Sequence, residues 1–579
     1  MERRSFLGLI SSVKEKEQSL QIDPPGENEI DPVRELGNQG LPSVARVSAG
    51  LEAYTDVFEW WQARHLLSRT LFGPKRAEIQ KAVEDGLDAT LDLLLADWDE
   101  PAPPLNYYND KDINVAIGEP WVDFPENTEN GANLTGYRRS SLRFWSVGLM
   151  LDQETSIREK MTLFWHNHFA TESNVVYDKR RTYELLKLFR KNALGNFKTL
   201  VDEVTVSSAM LNYLNGDQNR VGAPNENYGR ELLELFTIGK GPQIGDGNYT
   251  NYTEDDVIEA SKVLTGWVHS INGKTAGNPT AVYNDNRHDK TTKTFSSAFN
   301  NQTIENAGAE EYKLLIDMIF GKTETARYIC RKLYRWFVYY LIDEDTELNV
   351  IEPMAQLLIA NEFEVKPVVR ALLSSAHFFD VENIGAVIKS PVDYVVSLVR
   401  ATEAEMPESE DILNQYSLWS FLWSEAGKLE QSVLEPPSVA GWNAYYQEPG
   451  YFQNWITSAT LPNRQFYANT VVSDNGKRIR DDIRLKIDVF KLLDGVSDPA
   501  DPNIVVREFA DLLLPVRIPN SQRNMLKDIL IPGLPDFEWT EEYLLYVIDP
   551  SDEEVAKAVE SKLRDLVRAI LSIPEYHLM

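Results

Sequence analysis

Apolar residues return every three or four positions along most of this chain, the spacing of helices that bury one face. The pattern runs from Trp60 to Phe72, from Ala77 to Leu95, from Tyr137 to Asp152 and from Thr155 to Ala170. It resumes from Phe197 to Thr205, from Tyr312 to Phe320, from Thr323 to Tyr340, from Pro391 to Thr402 and from Asn454 to Asn469. A C-terminal helical subregion, about 480–579, repeats it from Arg480 to Leu493, Val505 to Leu514, Gln522 to Leu530, Glu541 to Val547 and Asp552 to Leu571. Period-two alternation is scarce. Val282-Tyr283 and Thr294-Phe295 suggest at most a minor β-hairpin. The expected class is all-α: a large multi-helix globular fold with long irregular loops.

Polar stretches divide the pattern. Residues 1–54 form a polar N-terminal arm, and 55–579 read as a single helical domain. Within it, 100–136 and 270–300 are irregular insertions rich in Asn, Gly, Pro or Thr, long enough to be functional or draped over the core. Between Asn225 and Trp267 the spacing predicts helix, tight loop, helix. Gly239 is expected to end the first helix, and Thr253 to cap the second ahead of Glu254, Asp255 and Asp256. On a wheel of about 100° per residue, Glu231 falls inside the apolar arc of the first helix, between Ile238 and Leu235. A buried carboxylate costs several kcal/mol unless paired, hydrogen-bonded or protonated. Glu231 therefore requires either a structural arginine or backbone amides, or a ligand.

Composition narrows the function classes. With 579 residues, 43% of them hydrophobic and 11% aromatic, the chain can bury a large core. A net charge of −31 argues against nucleic-acid binding, which relies on basic surface. No apolar run approaches the roughly 18 residues of a transmembrane segment. The single cysteine, Cys330, excludes an internal disulfide and cysteine-rich metal sites, and its aromatic helical setting predicts an inert buried thiol. The N-terminal Met1-Glu2-Arg3-Arg4-Ser5-Phe6-Leu7-Gly8 is similar to a twin-arginine signal, but Lys14 to Glu17 interrupt the apolar run. It reads as a degenerate export signal or as an acidic tail, which leaves an exported and a cytoplasmic location both open.

Candidate chemistry must come from seven histidines and the carboxylates. His168 lies on the apolar face of its helix. His166 points to the other side, exposed or facing another element, so the two cannot share a metal from a continuous helix. His288 and Asp289 sit in a polar loop with Lys293. Glu231, His168, His288 and Asp289 make a possible catalytic constellation, with Arg230 or Lys293 as counter-charge. Neutral imidazoles and a carboxylate at His168, Glu231 and His288 would suit a divalent metal such as zinc, iron or manganese; without metal, the set could work as an acid/base pair. No nucleophile elbow, zincin motif or phosphate loop is present in the sequence. From Pro436 to Trp455 an aromatic loop with Trp442 and Trp455 either caps the core or binds a ligand.

A series of short motifs then runs in order along the chain. They are Arg64-His65-Leu66-Leu67-Ser68-Arg69 with Phe72-Gly73-Pro74; Phe164-Trp165-His166-Asn167-His168-Phe169; Asn225-Glu226-Asn227-Tyr228 with Arg230 to Leu235; Asp256-Val257 to Thr265-Gly266-Trp267; His288-Asp289 with Lys293; Lys389-Ser390-Pro391; and Pro436 to Val439 with Gly441-Trp442. On these motifs the chain resembles the bacterial family catalogued as domain of unknown function 1800. The resemblance implies a helical protein, commonly exported by the twin-arginine route and often encoded beside a sulfatase-like companion. It implies no established activity. Phe236 stands where many relatives carry a histidine.

Two function readings follow. One is an accessory or interaction protein of the bacterial cell envelope, acting with the sulfatase-like companion. The other is a metal-assisted or acid/base hydrolase, or an oxidase, with its site at Glu231, His168 and His288.

Overall fold

Helices provide nearly all the regular structure in a computed structural model that describes residues 49–126, 134–270, 277–407, 411–481 and 483–579. The twin-arginine-like stretch lies outside these residues. The sites are built around α1 (Trp60–Thr70), α2 (Leu134–Leu151), α3 (Arg158–His168), α4 (Glu226–Glu231), α5 (Glu254–Val263) and α6 (Glu311–Phe320). They continue with α7 (Thr323–Phe337), α8 (Pro391–Ala401), α9 (Ile412–Lys428), α10 (Thr460–Val472), α11 (Asp536–Ile548) and α12 (Glu553–Ser572). Among the described residues, the β structure is four two-stranded antiparallel pairs in the loops. No described helix is long and apolar enough to cross a membrane.

α7 shows how sequence spacing becomes packing. Ala326, Ile329, Cys330, Leu333 and Phe337 recur at helical intervals and are fully buried. Burying each large side chain contributes about 1.5–3 kcal/mol. Burial also pushes the Cys330 thiol well above its ordinary range, as an inert core cysteine requires. The outer face carries Arg327 and Arg331, paired with Glu352 at 2.6 Å and with Glu324 at 2.6 Å. Such pairs order the surface and add little stability.

Among its described residues, the insertion from Pro101 onward contains no helix before α2 and is draped on the core. The buried Arg138 side chain on α2 pins it by an ion pair to buried Asp112 at 2.9 Å and a hydrogen bond to the Phe124 carbonyl at 2.6 Å. Asn106 is fully buried and accepts from the Tyr137 hydroxyl at 2.7 Å. These contacts tie polar groups of the loop to the helix it covers.

One helix, α9, goes beyond those the spacing predicts, and two local expectations change. α9 packs along α2, with Trp419 closing onto Gly148 so tightly that a Cβ there would lie 2.5 Å from the ring. Its sequence is apolar and aromatic around much of its circumference, so no single period marks it. The stretch expected to be helical from Arg480 begins as a hairpin, Lys477–Arg480 with Ile483–Leu485, before a short helix at Val489–Asp494. Val282 and Tyr283 pair with Val268 and Trp267, and Lys293 and Thr294 pair with Ile304 and Thr303, so the two stretches belong to different hairpins.

Candidate functional site

Asn225 caps α4 by accepting from the Asn227 amide at 3.0 Å. Immediately after Glu231 the helix widens into a π-helical turn over Leu232–Thr237. A wider turn leaves carbonyls without regular partners, and such turns recur at functional sites. Here side chains supply the missing donors. The Tyr328 hydroxyl donates to the Leu235 carbonyl at 2.9 Å, and Lys332 Nζ donates to the same carbonyl at 3.2 Å. His168 Nε2 meets the Phe236 carbonyl at 3.0 Å, and Asn251 Nδ2 donates to the Ile238 carbonyl at 3.0 Å. Gly239 then turns the chain at φ +67°, where a Cβ would stand 2.8 Å from the Tyr328 ring. The expected capping box also forms: Thr253 accepts from the Asp256 amide, and Asp256 Oδ2 accepts from the Thr253 amide at 2.8 Å.

His168 is buried, with both ring nitrogens engaged. Lys332 Nζ lies 3.1 Å from Nδ1, which leaves Nε2–H to donate to the Phe236 carbonyl. Burial first, and Lys332 second, hold the imidazole neutral, well below its ordinary pKa. Lys332 is itself lowered to about 7 by burial, with Arg335 adding to the effect. His168 therefore fastens α3 and α7 to the π-helical turn. Phe236 contributes its backbone, with its own ring buried in the core.

Glu231 is half-buried and, among the described residues, makes no hydrogen bond or ion pair. Neither the arginine nor the backbone amides expected of a structural Glu231 meets it, and it is less deeply buried than its place on the wheel predicts. Arg230 instead pairs with Glu254 at 2.6 Å, and Glu234 with Lys240 at 2.6 Å. Burial, reinforced by Glu234, raises the Glu231 carboxyl to about 7. A carboxyl at that value can exchange a proton at neutral pH.

His288, Asp289 and Lys293 do come together, around a different partner. His288 Nε2 lies 2.9 Å from Glu311 Oε2, and Lys293 Nζ lies 2.5 Å from Glu311 Oε1. All three side chains are fully buried. His288 Nδ1 meets the Thr265 carbonyl at 2.9 Å, and Thr265 Oγ1 accepts from the Asp289 amide at 2.8 Å. Asp289 caps Thr291, and its carbonyl accepts from Lys293. This network staples the loop to α6.

The two histidines thus belong to separate hydrogen-bond networks. His168 and His288 each have both nitrogens engaged, by different partners. Among the described residues no group of three or more His, Cys, Asp or Glu side chains could hold a metal ion, so the triad His168, Glu231 and His288 is not assembled as a metal centre. His166 is buried rather than exposed, its ring 6.0 Å from that of Trp442. Trp442 and Trp455 are also buried, in the core beneath the aromatic loop. Gly441, at φ +90°, brings the Trp442 amide within 3.0 Å of Asn167 Oδ1, joining two of the sequence motifs.

Sequence reasoning missed Lys332 and Tyr328. On the α7 wheel Lys332 stands beside Ile329 and Trp336, a lysine at the edge of an apolar face, and that signal could have singled it out.

A family model described as protein of unknown function matches residues 65–578. No curated protein and no solved structure matches the chain.

Proposed function

The chain belongs to the DUF1800 family of proteins of unknown function, and from that premise we propose that it is an interaction protein of the bacterial cell envelope. It docks a protein partner through α11. The observation that carries this reading is the apolar stripe of that helix. Phe537, Leu544, Leu545 and Ile548 recur at i, i+7, i+8 and i+11, the spacing of one helical face, yet all are exposed, Ile548 to 79% and Leu545 to 56%. Only Trp539 of α11 is fully buried. Elsewhere in the molecule a stripe of this kind faces the core; an exposed one marks a contact surface.

Acidic side chains accompany the stripe: Asp536, Glu538, Glu541, Glu542 and Asp549. Their charge fits a partner with an apolar strip rimmed by Lys or Arg. The sulfatase-like companion implied by the family resemblance is the partner this reading nominates. The test is co-purification of the full chain with that companion, repeated with Leu545→Ser and Ile548→Ser combined. The expected result is a stable complex that the double substitution weakens at least tenfold. A complex unaffected by the substitutions, or no complex at all, overturns the reading.

One observation favours a second reading, acid/base catalysis at Glu231: an unpaired carboxyl held at about 7. In that case Glu231→Gln abolishes turnover, and activity in the unaltered protein follows an ionisation near neutral pH. Activity retained by Glu231→Gln removes it.

A further inference from the structure

The pocket between α1, the start of α8 and the C-terminal segment concentrates positive charge in an otherwise acidic chain. Arg64, Ser68, Lys389, Asp393 and Tyr576 line it, and all five are more than nine-tenths buried. Local sequence explains the placement. Ser390 caps α8, accepting from the Asp393 amide, with Pro391 at its first position. This cap fixes Lys389 at the pocket wall. α1 brings Arg64 to the opposite side, where Nε donates to the Leu512 carbonyl at 3.2 Å.

The side-chain charges in this pocket do not balance. Asp393, the one side-chain carboxylate in the lining, already pairs with Lys160 and accepts from Ser390 at 2.8 Å, and the terminal Met579, which also lines the pocket, accepts from the Val387 amide through its carbonyl. Among the described residues, Lys389 Nζ has no hydrogen bond or ion pair; it lies only over the Tyr576 ring, 4.1 Å from its centre. Arg64 has no carboxylate partner either. The buried Tyr576 hydroxyl has no hydrogen-bond partner. Nearby, Arg464 donates to the Lys389 carbonyl at 2.8 Å, while its Nε and Nη1 go unmatched. Burial, then Arg64 and Arg464, depress the Lys389 ammonium well below its ordinary range. A buried cation without an anion is unfavourable, and two such groups, Arg64 and Lys389, line this one opening.

We propose that this pocket binds one tetrahedral oxyanion, phosphate or sulfate, between Arg64 and Lys389, with the Tyr576 hydroxyl donating a third hydrogen bond. Size fits the group. The pocket holds about 400 Å³ of atom-free space with its mouth, of which about 20 Å³ can take the centre of a water-sized sphere. One water needs about 10–15 Å³ by that measure, so the floor holds little more than one water-sized group, such as one oxygen of an ion whose remainder sits in the mouth, and excludes a sugar ring or a base. Guanidinium and ammonium groups are the usual partners of such oxygens. Arg64 and Lys389 fall within two of the sequence motifs, Arg64 to Arg69 and Lys389 to Pro391, which neither the docking helix nor Glu231 involves.

The test is thermal unfolding and titration calorimetry of the full chain with inorganic phosphate, sulfate and chloride at matched ionic strength. Phosphate or sulfate is expected to raise the melting temperature saturably, and chloride is not. Lys389→Met is expected to fold at least as well as the unaltered chain without anion, yet to weaken oxyanion binding at least tenfold. Tyr576→Phe, which removes only the hydroxyl, is expected to weaken it a few-fold. A parallel titration with glycerol phosphate distinguishes a free ion from the head of a larger molecule; binding of either supports the site. Equal stabilisation by chloride, or an oxyanion response unchanged in both variants, overturns the proposal.

Discussion

Lys293, in a short hairpin strand, and Lys389, in the segment before α8, are both buried lysines, and they are treated in opposite ways. Lys293 meets Glu311 at 2.5 Å, and the other oxygen of that carboxylate takes His288 at 2.9 Å. The charge is closed inside the protein. Lys389 faces a pocket whose only side-chain carboxylate is committed to Lys160. The first arrangement is complete without a ligand, and its role is to hold a loop on α6. The second is incomplete in the protein alone. Burial by itself therefore does not separate structural from functional charge; the partner count does.

Breaking the closed network should have the largest effect. Glu311→Gln leaves Lys293 buried without its counter-charge and is expected to cost about 3–5 kcal/mol in chemical denaturation. Lys293→Met in the same background should recover part of the loss, since a buried pair replaced by apolar groups is far less costly than a broken one. His168→Phe comes next. It leaves the Phe236 carbonyl unpaired and removes an acceptor from Lys332, an expected loss of about 1–3 kcal/mol.

Glu231 sharpens the comparison from the acidic side. Its folded pKa, about 7, lies above the ordinary carboxylate value of 4.5. The folded state then holds the proton more tightly than the unfolded state. The associated stability is fully present below pH 4.5 and is lost as pH rises through 7. The difference in unfolding free energy between the unaltered chain and Glu231→Gln should therefore change across that window, by about 1–2 kcal/mol after allowance for partial exposure. The substituted chain is relatively more stable at the alkaline end. A flat difference would show that the carboxyl is unperturbed. The smallest effect belongs to α11: Leu545→Ser and Ile548→Ser should each change stability by no more than about 0.5 kcal/mol, so that any loss of partner binding reports on the surface alone.

The helical class was legible because apolar spacing reports burial directly, as the α7 stripe of Ile329, Cys330, Leu333 and Phe337 shows. The Thr253 cap was legible for the same reason: side-chain chemistry three residues apart determines it. α9 was not legible, since Tyr416, Trp419, Phe421 and Trp423 spread apolar surface around much of the helix and mostly small serines, Ser417, Ser420 and Ser424, mark its polar side. Glu231 was placed too deep because a wheel of constant pitch carries the α-helix through to Ile238. The π-helical turn after Glu231 advances less per residue and shifts the following side chains relative to it. His288, Asp289 and Lys293 were recognised as one local group, but Glu311, about twenty residues on, is what makes the group structural, and no short-range pattern announces it. The Arg64 and Lys389 motifs were visible as sequence. Their meeting across more than three hundred residues, with no side-chain carboxylate to receive them, is a tertiary fact.

The most direct measurement of the contrast is paired chemical denaturation of Glu311→Gln and Lys389→Met in buffer free of phosphate and sulfate. The closed network predicts a loss of about 3–5 kcal/mol for Glu311→Gln. The open pocket predicts no loss, or a gain, for Lys389→Met, since an uncompensated buried ammonium is removed. If Lys389→Met destabilises the protein as much as Glu311→Gln does, Lys389 is satisfied within the fold, and the distinction between a closed and an open buried charge fails.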